Sequence, residues 1–155
     1  MEVILTDGYG IDLSIKAVRM YLKRIGIDAW LYAWPEEEGY DDSVRICVRI
    51  DDVNDFPDGY EPPYDIVLAD LGKEAPLSLV RENLAKKEYG LFSITDKDLI
   101  DVLRELKSEA SLHGKFRIAT IPDNIEWHIE GDSEYGTEWV QEGKSYPQRW
   151  YGEPI

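Results

Sequence analysis

An α+β fold, which is a mixed α/β class, is what this sequence predicts: a single domain with a mainly antiparallel sheet packed against two or three helices, and a β-hairpin near the C-terminus. Three observations carry that expectation. Short segments alternate apolar and polar residues at period two, other segments repeat apolar residues at helical spacing, and the connections are rich in the Gly, Pro and Asp that turns demand. A chain of 155 residues suffices for one core, since folding at that size buries roughly 68–70% of the surface the unfolded chain exposes.

Val3–Thr6 reads as a buried strand that runs through Asp7, Gly8, Tyr9 and Gly10 into a helix capped by Ser14 and stopped by Gly26. Such a strand-to-helix loop aims backbone N–H groups at one spot, where phosphate or carboxylate groups bind. Lys16 stands in the first turn, where an acid is usual, and makes that end more attractive to anions. Ile15, Val18, Leu22 and Ile25 form the apolar stripe of this helix, and Lys16, Arg19, Lys23 and Arg24 occupy its remaining surface.

Asp28–Trp34 alternates Trp30, Tyr32 and Trp34 against Ala29, Leu31 and Ala33, the pattern of a strand whose aromatic row either packs in a core or presents a face on which a base or adenine ring stacks. A second strand, the hairpin partner of the first, follows the charged turn after Pro35. Val44, Ile46, Val48 and Ile50 are expected on its core face, with Arg45 and Arg49 opposite, placed for an anion or for neighbouring acids. An acidic loop or insertion spans about 51–65. Ile66–Ala69 is a short strand ending at Asp70, Pro76–Lys87 a helix, and Leu91–Ile94 another brief strand. The clearest helix runs from Asp96 to about Ala110, capped by Thr95, with Leu99, Val102, Leu103 and Leu106 as its buried stripe. Lys115–Ile121 is a strand ended by Pro122, and Ile125–Glu130 and Thr137–Gln141 are the arms of the hairpin.

Charge narrows the function. With 32 acids, 17 bases and a net charge of −15, direct nucleic-acid binding is disfavoured and positively charged partners are favoured. Thirteen acids face only three bases between Glu36 and Glu74, and seven acids face none between Asp123 and Glu142. The single Cys47 excludes an internal disulfide and a multi-cysteine zinc site, which fits a reducing cytoplasm. No apolar run reaches the roughly 18 residues a membrane span needs. His113 and His128 lack partners at catalytic spacing, and neither a Ser-Gly elbow nor a phosphate-binding Walker loop is present. No catalytic residue is assigned on that basis and no cofactor is expected.

The two ends of the chain resemble a family of small, functionally uncharacterised proteins of tailed bacteriophages and prophages. ILTDGYGIDLS matches its opening I-x-T-x-x-G-G-F-x-L-S, and the later half repeats its order: the helix TDKDLIDVLRELKSEAS, the strand FRIATIPDNIEW, then GTEWVQEG with a basic and aromatic end. The likeness covers roughly the first 26 and last 65 residues. Asp7 stands where members carry a cysteine, Tyr9-Gly10 replaces a Gly-Gly pair, and Lys144, Arg149 and Trp150 are spread around Pro147 in place of a compact Lys-His-Arg-x-Trp run. The resemblance implies a viral accessory protein acting in a host cytoplasm, and it brings no reaction with it.

The resulting expectation is a non-enzymatic binder that counteracts host defence. In one form its acidic segments imitate nucleic acid and occupy a basic protein. In the other it sequesters a small nucleotide signal with Gly8, Tyr9, Gly10, Ser14, Lys16, Arg149 and Trp150. The alternative is a metal-dependent phosphohydrolase-type enzyme in which Asp7 and Asp70, at the ends of parallel neighbouring strands, share a divalent cation. An exposed hairpin edge is also a natural dimer contact, so a homo-oligomer is expected.

Overall fold

The computed structural model describes residues 1–7, 12–36, 39–52, 56, 60–85, 92–111, 115–131, 137–143 and 148–155. Among them are three α-helices and ten strands in three antiparallel sheets, a mixed α+β arrangement dominated by sheet. In place of the single sheet expected, the strands divide into sheets of three, four and three. Contacts group the chain into two compact units, Met1–Tyr21 with Phe92–Ile155, and Leu22–Leu91.

In the first unit β1 (Glu2–Thr6) pairs antiparallel with β6 (Phe116–Thr120), from Glu2 opposite Thr120 to Thr6 opposite Phe116. The other edge of β6 takes the short tail strand β10 (Glu153–Pro154). Val3 and Leu5 alternate onto one face with Ala119, Ile121 and Val140, and Trp127, Ile129 and Trp150 close this core. The hairpin β7 (Trp127–Gly131) and β8 (Glu138–Glu142) forms as its alternation predicts, and β9 (Arg149–Trp150) adds to the outer edge of β8.

The helix α3 (Lys97–Leu106) buries Leu99, Ile100, Val102, Leu103 and Leu106, and burial of each large apolar side chain contributes about 1.5–3 kcal/mol. Its cap is Asp96 rather than Thr95. The Asp96 carboxylate accepts from the N–H groups of Asp98 and Leu99 at 2.9 and 3.4 Å, a reach that the side chain one residue earlier does not have. A 3₁₀ turn, Lys107–Ala110, extends the end of α3. Ile94 is not in a strand, although its carbonyl accepts the Ile4 N–H at 2.8 Å.

The helix α1 (Ile15–Ile25) ends at Gly26, whose φ of +75° is the left-handed conformation that glycine adopts freely. Ala17 and Tyr21 are buried along with Ile15, Val18 and Leu22, so its apolar face is broader than the four-residue stripe. Tyr21 tilts against Phe92 and donates its hydroxyl to Asp96.

The second unit is a four-stranded sheet in the order β4 (Tyr64–Val67), β2 (Trp30–Ala33), β3 (Ile46–Arg49), β5 (Glu74–Pro76), with β2 and β3 antiparallel as expected. The following helix, α2 (Leu77–Glu82), is shorter than predicted. Pro76 closes β5, and past Asn83 the chain returns to the sheet, where Ala85 N–H bonds Ile66 O at 2.8 Å. That sheet bond replaces another helical turn. Residues 86–91 lie outside those described.

Candidate functional site

One face of the four-stranded sheet is closed by α2, and the other is buried at Leu31, Ala33 and Ile50 but open at Ile46 and Val48. Tyr32, Cys47, Val67 and Ala75 point to the face that α2 covers with Leu77 and Val80. Burial there pushes the Cys47 thiol above its ordinary range, which leaves it without the thiolate character that reactivity requires. Ala33 lies opposite Val48 on the other face. The core face expected for β3 is therefore reversed at three of its four residues: Cys47 is buried, while Val44, Ile46 and Val48 are 69%, 42% and 50% exposed, and Ile50 alone is buried as expected. Alternation shows that a strand has two faces, and the docking of α2 on the Cys47 side decides which one is covered.

Beside these side chains lie Trp34, Tyr40 and Tyr60, all exposed, and together they line a groove of about 1040 Å³. Prolines 35, 62 and 63 stiffen its walls, and Glu36 and Asp41 stand at its margin. Trp34, Val44, Ile46, Val48 and Tyr60 thus leave apolar side chains exposed side by side along this groove. The part of the acidic loop at 53–55 and 57–59 is outside the described residues.

Arginines in this unit are engaged internally. Arg49 gives Nε to Asp51 at 2.6 Å and a terminal nitrogen to Asp70 at 2.7 Å, and Arg45 and Arg81 both lie against Asp42. The Gly72 N–H and the Arg49 guanidinium hold Asp70 below the usual carboxylate range. The Tyr32 hydroxyl donates to Gly72 O at 2.7 Å and accepts from Leu71 N–H at 2.9 Å, which completes a closed polar corner. With its arginines occupied, the groove side of the sheet keeps the negative character of its surroundings.

Asp65 supplies an internal test of this surface. Its half-buried carboxylate accepts the Trp34 indole N–H at 2.9 Å; desolvation raises its pKa above the ordinary value, and the Trp34 bond offsets part of that rise. A carboxyl group that holds its proton more tightly when folded favours folding below its unfolded pKa, and that contribution is lost as pH rises through the folded value. We expect the Trp34 indole N–H resonance to titrate with a midpoint above the ordinary aspartate value of about 3.9, and Asp65→Asn to abolish the step. A midpoint at or below that value would mean that the indole bond outweighs burial.

The residues singled out around the first loop are placed differently. Gly8, Tyr9 and Gly10 lie outside those described. Ser14 is buried and its groups are used within the chain: the N–H bonds Ala110 O at 2.9 Å, and Oγ donates to Glu109 O at 2.7 Å and accepts from Ala17 N–H at 3.2 Å. Lys16 meets the Glu109 carboxylate at 3.2 Å. The chain's own acid therefore sits on the cation offered to an external anion. Arg149 and Trp150 occur together in β9, and the Arg149 guanidinium lies 5.0 Å over the Trp139 ring.

Asp7 and Asp70 are not brought onto parallel neighbouring strands. Their preceding strands, β1 and β4, belong to separate sheets and both pair antiparallel, and Asp70 lies three residues past its strand. Asp7 is held by Arg117 at 2.8 Å, as Asp70 is by Arg49. His128 bonds Glu130 at 2.9 Å on an exposed strand face, and His113 lies outside the described residues. Among the described residues no three His, Cys, Asp or Glu side chains converge as a metal site, and no helix is long and apolar enough to cross a membrane. No protein-family model, curated protein or solved structure matches the chain.

Proposed function

We propose that this protein acts by binding another protein, and that the open apolar groove beside β3 is the contact surface. The observation that carries the reading is the exposure of Val44, Ile46 and Val48 next to Trp34, Tyr40 and Tyr60, within a segment where thirteen acids face three bases. Aromatic side chains in a pocket supply binding energy, and the surrounding acids select a positively charged partner and speed the encounter. The partner is a surface that presents apolar side chains among arginines and lysines. Following the resemblance to phage accessory proteins, it is a basic host defence protein whose nucleic-acid surface the acidic segments imitate.

A defined peptide probe tests the reading directly. A twelve-residue peptide alternating arginine and leucine is expected to bind, and to weaken by at least roughly tenfold between low and high salt, as exposed charges are screened. Val48→Glu, which places a carboxylate within the apolar strip, is expected to weaken binding by a similar factor with little loss of stability, since Val48 is half exposed. Equal binding of a peptide with glutamate in place of arginine, or binding indifferent to salt, would sink the proposal.

A further inference from the structure

In a chain with almost twice as many acids as bases, a basic side chain usually has a carboxylate beside it. Arg45, Arg49, Arg104 and Arg117 all do. Lys107 and Arg149 do not: among the described residues neither side chain has an ion pair or hydrogen bond, and Arg149 has only the face of Trp139. Both line one groove of about 580 Å³ in the first unit, together with Arg104, Trp150, Tyr151 and Glu153. Three basic side chains and one side-chain carboxylate stand in this wall, and of the three only Arg104 is paired among the described residues, with Glu2.

The fold explains how the groove arises. β10 covers β6 only at Ile118 and Arg117, so the edge of β6 beyond Ile118 is left as the groove's floor with Ala119 and Thr120. The tail reaches that edge by passing Gly152 directly over the β6 backbone. Opposite it, α3 is capped at its C-terminal end by Lys107, whose φ of +53° is a left-handed conformation that a non-glycine residue adopts at a cost. The negative end of α3 carries only about half an elementary charge, and the full charges of Lys107 and Arg149 outweigh it. Arg104 is partly neutralised by its two-pronged contact with Glu2, whose carboxyl it holds below the usual range. Lys107 and Arg149 therefore carry the charge recognition, and half-exposed Tyr151 offers aromatic surface next to them, beside the part of Trp150 that the core leaves uncovered.

We infer that this groove is a binding site for a nucleoside monophosphate, its phosphate held by Lys107 and Arg149 and its base set against Trp150 and Tyr151. The volume suits one nucleotide, and the pairing of unneutralised cations with aromatic rings is the chemistry by which a phosphate and a base are read together. The site is independent of the protein-binding groove, lies in the other unit, and shares no residue with it. It also differs from a loop site at Ser14 and Lys16, whose polar groups are used within the chain.

Calorimetric titration with AMP, ribose 5-phosphate and adenosine tests the assignment. AMP is expected to bind roughly tenfold more tightly than ribose 5-phosphate, from base stacking, and more tightly than adenosine by a similar factor, from the phosphate. Lys107→Gly removes the ammonium while relieving the left-handed backbone, and is expected to weaken AMP about tenfold in a folded protein. Glu153→Gln removes the opposing carboxylate and is expected to tighten AMP by a factor of about three, a gain that misfolding does not produce. No heat with AMP at millimolar concentration overturns the proposal, as does equal affinity for ribose 5-phosphate or adenosine, or AMP affinity unchanged by Lys107→Gly.

Discussion

Replacing Arg117 by methionine is expected to destabilise the first unit by about 2–4 kcal/mol, measured by denaturant unfolding. Only 11% of the Arg117 side chain is exposed, and it donates to Asp7 at 2.8 Å, to Glu138 O at 2.7 Å and to Tyr151 O. One guanidinium thus joins the end of β1, the start of β8 and the chain just before β10. Methionine fills the space of the stem but leaves a carboxylate and two carbonyls without their donor. Breaking a fully buried pair costs about 3–5 kcal/mol, and the lower range applies because Asp7 is one-third exposed. Arg117→Lys is expected to recover little of the loss, since a single ammonium does not reproduce the planar fork that reaches three acceptors. Adding Asp7→Asn to Arg117→Met is expected to restore part of it, and a strictly additive double variant would show that the two side chains are not coupled.

Gly152→Ala is the second large effect. An added Cβ would stand 2.9 Å from the Ile118 carbonyl carbon and 3.1 Å from Ala119 N, both backbone atoms of β6 that cannot turn aside. The φ of +73° adds strain for any residue with a Cβ, about 1–2 kcal/mol, and overpacking adds about 1–3. Holding the tail in place would then cost about 2–5 kcal/mol. The tail gives back the short ladder of Glu153 and Pro154 with Ile118 and Arg117, the Ile155 N–H bond to Phe116 O and the Arg117 bond to Tyr151 O. Release is cheaper than strain, so the expected result is a folded protein with a detached C-terminus. Hydrogen exchange would show faster exchange of the Ile155 amide, which bonds Phe116 O, and AMP binding in the adjoining groove would fall with it. Protection of that amide equal to the parent's would show that β6 can shift to admit the methyl group.

These two sites mark the limit of what a linear reading reaches. The hairpin of β7 and β8, the pairing of β2 with β3 and the buried stripe of α3 were all legible, because period-two and period-3.6 patterns arise from local backbone geometry. Ser14 was legible as a cap, and its Oγ does accept from Ala17 N–H. Its second partner, Glu109, lies 95 residues away, and no spacing rule connects them. Thr95 and Asp96 are both competent caps, and only the geometry of the turn chooses between them. Lys107 drew no attention as one lysine on a polar helix face; its conformation and its place opposite Arg149 and Trp150 are properties of the folded chain.

The sequence by itself determined the α+β class, the alternating strands, the hairpin, the start and stop of α1, the buried stripe of α3, and the acidity of residues 36–74, since each depends on residues near one another along the chain. Tertiary structure alone decided that the strands divide among three sheets and that Val44, Ile46 and Val48 face outward. It also decided that Asp7 and Asp70 each meet an arginine and that Gly152 crosses β6. The physical reason is common to all four: each depends on which distant segment covers a surface or neutralises a charge. Packing and long-range pairing select that segment among partners that local patterns leave equivalent.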